Sequence, residues 1–110
     1  MPFSNAEQAV VEIRKLREYC LNPSHPRGKH KARVFESALE LTREDAEQLR
    51  SALLTAVREE EAEWIFEDEY GIRYRIEFEM ERSSRRAKIR SIWIVRPDES
   101  LPRSVTCYIV

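Results

Sequence analysis

The sequence predicts an α+β domain in which three helices come first and pack on one face of a three- to four-stranded antiparallel meander. Three observations predict it. Up to about residue 62, apolar residues recur three and four positions apart, the period of a helix with one buried stripe. From residue 63 onward they alternate with charged residues, the period of a strand with one wet face. The two regimes do not interleave, which separates the helices from the strands along the chain.

Ser4 and Glu7 match a capping box, and Ala6, Ala9, Val10, Ile13, Leu16 and Cys20 form one stripe. The first helix therefore spans about residues 4–20 and ends before Asn22-Pro23. Pro23, Pro26 and Gly28 give a turn-rich connection to a second helix, about residues 29–40, that buries Ala32, Phe35 and Leu39. Thr42, followed by Glu44 and Asp45, caps a third helix, about residues 42–62. Its inner face is Ala46, Leu49, Leu53, Ala56 and Val57.

Trp64 to Phe66 gives a short strand at about 63–67, followed by the turn Asp68-Glu69-Tyr70-Gly71. Longer strands follow at about 72–82, 87–95 and 104–110. Setting Ile76 opposite Trp93 brings Glu79 to Arg90 and Glu81 to Lys88, with an even-length loop around Ser83–Arg86. A one-residue slip would put Met80 against Lys88 and reverse every side chain. Val105, Cys107 and Ile109 then face the core. Thr106 and Tyr108 join Arg75, Arg90, Ile92 and Ile94 on the open face.

The 110 residues make one domain large enough for a core without staples. A net charge of -1 argues against coating nucleic acid by bulk charge, but leaves room for a local basic site. No apolar run reaches the ~20 residues of a membrane span, and the first residues lack a signal-peptide core, so a cytoplasmic protein with no membrane partner is expected. Cys20 and Cys107 lack metal or redox-motif spacing and read as reduced, buried thiols, with a bridge between them as the alternative.

The stretch NPSHPRGKHKARVF, residues 22–35, gathers His25, Arg27, Lys29, His30, Lys31 and Arg33 around Gly28. Cations at a helix start oppose its dipole, so an anion bound by Arg27, Lys29, His30 and Arg33 would relieve the conflict. Composition alone favours a plainer account, a solvated turn matched by acidic residues such as Glu59, Glu63 and Asp68. His25 is either an acid–base group or a brace for the loop. Neither histidine has ligands at zinc spacing, and no metal or cofactor is expected. Thr106 and Tyr108 place two hydroxyls on one face near Arg90, an arrangement that ordinary β-propensity also produces.

Tyr19-x-Leu21-Asn22-x-x-His25-Pro26-x-Gly28-x-x-Lys31-Ala32-Arg33-x-Phe35 resembles a bacterial domain of unknown function, numbered 6883. Ser91-x-Trp93-Ile94-Val95 and Pro102-Arg103-x-Val105-Thr106-x-Tyr108 fit the same family. Two departures are a family glycine-rich turn replaced here by Ser83-Ser84-Arg85-Arg86, and a family Tyr-Pro ending replaced by Tyr108-Ile109. More distantly, helices before a sheet with a late Thr-x-Tyr are similar to the barnase–EndoU–colicin–RelE ribonucleases. That similarity implies metal-free RNA cleavage on the open sheet face. His25 would be the acid or base, Lys31 the phosphate cation assisted by Arg90, and Thr106 and Tyr108 the phosphate-orienting pair. Two functions stay open. One is a toxin-type ribonuclease acting on RNA and held by a cognate small protein partner. The other is a non-catalytic interaction module, homodimeric through Ile92 and Ile94 on the open face.

Overall fold

In the computed structural model, which describes residues 5–110, the second half of the chain forms one antiparallel sheet in the order β1-β2-β3-β4. The strands are β1 (Glu63–Asp68), β2 (Gly71–Arg82), β3 (Arg85–Val95) and β4 (Pro102–Ile109). Three helices precede them: α1 (Ile13–Lys15), which opens into a π-helical turn (Leu16–Cys20), α2 (Lys29–Leu39) and α3 (Ala46–Glu59). The core lies between these helices and one face of the sheet. There Leu16, Phe35, Leu39, Leu49, Leu53 and Val57 meet Ile76, Phe78, Ile89, Trp93 and Cys107. Among the described residues no helix is long and apolar enough to cross a membrane.

The continuous first helix is not formed. Ala6–Gln8 make one 3₁₀ turn, Val10 runs alongside β4 opposite Arg103, and helix begins only at Ile13. Hydrogen bonding to the sheet edge decides this. The Val10 amide donates to the Pro102 carbonyl at 3.0 Å, and the Ser104 amide donates to the Val10 carbonyl at 2.9 Å. Two β-branched residues in a row, Val10-Val11, already lean toward extended backbone, and the edge bonds fix it. The expected Ser4 cap lies outside the described residues. By contrast, Thr42 and Asp45 form the capping box that starts a 3₁₀ turn (Arg43–Asp45) leading into α3.

The β2–β3 register sits two residues from the expected one. Trp93 faces Tyr74, while Ile76 faces Ser91 and Phe78 faces Ile89. A slip of two keeps every side chain on its expected face, which is why alternation alone could not detect it. What selects the true register is a two-residue turn with Ser83 at φ 51° and Ser84 at φ 66°. This left-handed pair matches the twist of the strands and adds ladder pairs on both faces. Glu77, Glu79 and Glu81 thereby oppose Arg90, Lys88 and Arg86, three charge pairs instead of two.

A second irregularity corrects the last strand. β4 bulges opposite the Ile92/Trp93 step, so Ser104 pairs with Trp93 and Val105 is left over. Val105 is exposed, not buried, and Ser104 takes the inward position it was expected to hold. Past the bulge the alternation resumes, with Cys107 inward and Thr106 and Tyr108 in the rows of Ile92 and Arg90.

The open face is less basic than its sequence suggests. Arg73 pairs with Asp68 at 3.0 Å, Arg75 with Glu63 at 2.7 Å, Arg90 with Glu77 at 2.6 Å and Arg103 with Glu99 at 2.7 Å. The hydrogen bond from Arg90 holds Glu77 below the usual carboxylate range, and the one from Arg103 does the same for Glu99. Ile92 and Ile94 lie half-buried in this paired surface.

Inside the core, Ser91 is a fully buried polar residue. Its hydroxyl donates to the Ile76 carbonyl at 2.8 Å and accepts from the Trp93 indole N–H at 2.9 Å, with no exposed surface on either residue. Ser91→Ala strips both partners at once, and an unsatisfied buried group costs about 1–3 kcal/mol. Urea unfolding of this variant should show a loss of that size, whereas a midpoint equal to wild type would mean the indole finds another acceptor.

A cationic corner at the edge of the sheet

Helix α2 carries the candidate cations and is fixed at both ends. At its C-terminus Arg82 donates to the Leu39 and Glu40 carbonyls at 3.1 and 2.7 Å, and pairs with Asp45 at 3.0 Å. Those carbonyls have no helical partner, so the guanidinium serves as their cap. At its N-terminus Gly28 presses against the preceding turn. A Cβ there would stand 2.4 Å from the Tyr19 carbonyl oxygen. Gly28 thus lets two backbone segments of the same chain meet, where the sequence suggested an approach to phosphate.

His25 occupies the place expected for an anion. Its Nδ1 accepts the amide hydrogens of Arg27 and Gly28, each at 3.0 Å, and the His25 carbonyl accepts from Lys29 at 3.0 Å. The Arg27, Gly28 and Lys29 amides, which a phosphate at this turn would use, are thus already bonded to His25. With its Nδ1 lone pair engaged, the ring holds its proton on Nε2. Arg27, His30 and Arg33 point to solvent and Lys29 is half-buried; none of the four lines the pocket described next. Two of the acidic residues offered as their counterweight pair elsewhere, Glu63 with Arg75 and Asp68 with Arg73.

Lys31 leaves the basic run and turns to the end of the sheet. Its ammonium lies 4.8 Å from the centre of the Tyr108 ring and 5.9 Å from that of Tyr19. Two aromatic faces around one cation stabilise it by about 0.5–2 kcal/mol and hold it in place. Tyr108 is directly opposite Arg90 in the ladder, and the Arg90 guanidinium, bonded to Glu77, lies near the Tyr108 hydroxyl. His25 meets Tyr19 edge-on at 4.6 Å between ring centres. The five residues singled out as catalytic therefore gather at one corner, with Tyr19 as the wall between His25 and Lys31.

A pocket of about 350 Å³ opens there, lined by Lys15, Tyr19, Cys20, Lys31, Val105 and Thr106. His25 borders a neighbouring hollow of about 290 Å³ that shares Lys15 and Tyr19 with it. A larger hollow of about 540 Å³, by Tyr70 and Pro97, is walled by arginines already paired with carboxylates, Arg73 and Arg103 among them. Thr106 turns its hydroxyl inward: Oγ1 is buried, has no partner of good hydrogen-bond geometry, and lies near the Cys20 sulfur. Both cysteines are free and buried. The Cys107 thiol, helped by Thr106 and the Lys31 charge, pulls Cys20 below the usual thiol range. Its contact with Cys20 and complete burial push Cys107 up.

Tyr19, Lys15 and Cys20 were not singled out as site residues in the sequence. Tyr19 stood only as the first letter of a motif, and Cys20 as one position of an apolar stripe. The widened π-helical turn that aims both at β4 leaves no mark in residue spacing.

A family model described as a domain of unknown function (DUF6883) matches residues 2–110. No curated protein and no solved structure matches the chain significantly.

Gly28→Ala tests the turn that aims α2. With a backbone oxygen 2.4 Å from the new methyl group, the turn must open. The expected loss is about 1–3 kcal/mol, as for overpacking elsewhere. Chemical denaturation measures it, and an unshifted midpoint would show that Tyr19 and α2 separate freely.

Proposed function

We propose that this chain, which belongs to the DUF6883 family, binds RNA phosphate at the Lys31 corner and cleaves RNA without a metal ion, as toxin-type ribonucleases do. One observation carries the reading. Among the described residues Lys31 meets two aromatic rings and no carboxylate, and it lines a pocket beside the Tyr108 ring. The open-face arginines already hold carboxylates, so Lys31 is the cation best placed to take an incoming phosphate oxygen.

In that chemistry the ribose 2′-oxygen attacks phosphorus, and its proton passes to solvent. Lys31 neutralises the charge that builds on the phosphorane. Tyr108, between Lys31 and Arg90, protonates the leaving 5′-oxygen. His25 contributes its Nε2–H as a donor; a role as base would require the Arg27 and Gly28 amides to let go of Nδ1. Thr106 forms the floor of the pocket and holds the thiols beneath it. Without a strong base, slow turnover is expected.

A second reading, the interaction module, is favoured by a different part of the surface. Trp64, Phe66 and Tyr70 are 60%, 44% and 64% exposed around the unpaired edge of β1. An apolar edge strand of this kind invites pairing with a second chain.

Cleavage of a single-stranded RNA in chelator, followed for wild type, Lys31→Ala and Tyr108→Phe, separates the two. The nuclease reading expects a loss of about 10²–10³-fold for Lys31→Ala, typical of removing one oxyanion-stabilising group. Equal cleavage by all three preparations would mean a contaminant and end the reading. No cleavage, together with a dimer that Trp64→Glu dissociates, would establish the interaction module instead.

A further inference from the structure

We propose that Cys20 and Cys107 are a peroxide-oxidisable dithiol, with Cys20 the sulfur attacked first and Cys107 the sulfur that resolves it. The inference is independent of RNA binding, because it rests on how the fold delivers these two side chains.

Cys20 ends the π-helical turn, and Cys107 lies in the middle of β4, far away in sequence. The turn packs on β4 so that the two thiols are in contact, and neither is bridged. Their surroundings differ. Cys20 lines the 350 Å³ pocket with Lys31 and Thr106, so a small oxidant in the pocket meets this residue of the pair first. Cys107 is fully buried behind it and does not line the pocket. A pocket wall at one residue of the pair, and none at the other, gives the two sulfurs separate roles.

The chemistry needs only hydrogen peroxide as oxidant. The Cys20 thiolate attacks one peroxide oxygen, the O–O bond breaks, and hydroxide departs, leaving a sulfenic acid. The Cys107 sulfur then attacks the Cys20 sulfur. The S–O bond breaks, the hydroxyl leaves as water with the Cys107 proton, and a disulfide remains. The thiol pair gives up two electrons, and peroxide receives them. The product ties the π-helical turn to β4.

The test uses the full folded chain. It is treated with dilute hydrogen peroxide, its remaining thiols are alkylated, and it is analysed by intact and peptide mass. The expected product has lost the mass of two hydrogen atoms and both titratable thiols together. It joins the Cys20 peptide to the Cys107 peptide, and dithiothreitol reverses it. In Cys107→Ser the resolving step is gone, so a dimedone adduct should accumulate on Cys20. Wild-type oxidation should accelerate as pH rises through about 7, where the Cys20 thiolate forms. Thiols that survive in the folded wild type, a disulfide between two chains, or a first adduct on Cys107 would each overturn the proposal. The wild-type measurement stands even if the variant misfolds.

Discussion

Room for no more than a hydrogen atom at Gly28 lets the start of α2 lie directly on the Tyr19 carbonyl, and the corner of the molecule follows from that contact. With the two segments pressed together, His25 can brace the turn through Nδ1 and still touch the Tyr19 ring. Two residues into α2, Lys31 comes over the same ring and reaches Tyr108. A residue with a Cβ at position 28 would lift the helix start, and the lysine would lose the aromatic pair that holds it. The Arg82 cap at the far end of α2 restrains the same helix.

Charge on the strands is mostly paired. The alternating glutamates and arginines of β2 and β3 looked like a basic, open surface when one strand was read at a time. Across the ladder they neutralise one another, and Glu63, Asp68 and Glu99 take the remaining open-face arginines. Exposed pairs of this kind add little stability individually. Their larger consequence is selective: they leave Lys31, held by aromatic rings, and Lys15 as the cations lining the corner pocket.

Which parts were legible in the sequence follows from which forces are local. The α2 and α3 stripes and the Thr42 cap depend on residues a few positions apart, and they stand where the spacing put them. The β2–β3 faces were legible for the same reason. Their register was not, because a two-residue slip preserves every alternation and the deciding element was a turn of two serines with no glycine to announce it. The break at Val10 and the bulge at Val105 are tertiary events, each settled by hydrogen bonds between β4 and its neighbours. At the corner, Lys31, Tyr108, Thr106, Arg90 and His25 could be named from sequence. The brace made by His25, the inward turn of the Thr106 hydroxyl, and the meeting of Cys20 with Cys107 all needed the third dimension.

The most direct test of the account is a two-dimensional NMR titration of the full chain with inorganic phosphate and then a short single-stranded RNA. If the Lys31 corner is the anion site, shifts should concentrate on Tyr19, Lys31 and Tyr108 and vanish in Lys31→Ala. The Arg27 and Gly28 amides, already bonded to His25, should stay still. Shifts centred on those two amides, or spread evenly along the exposed cations of residues 27–33, would contradict the account and return the basic run to a solvated turn.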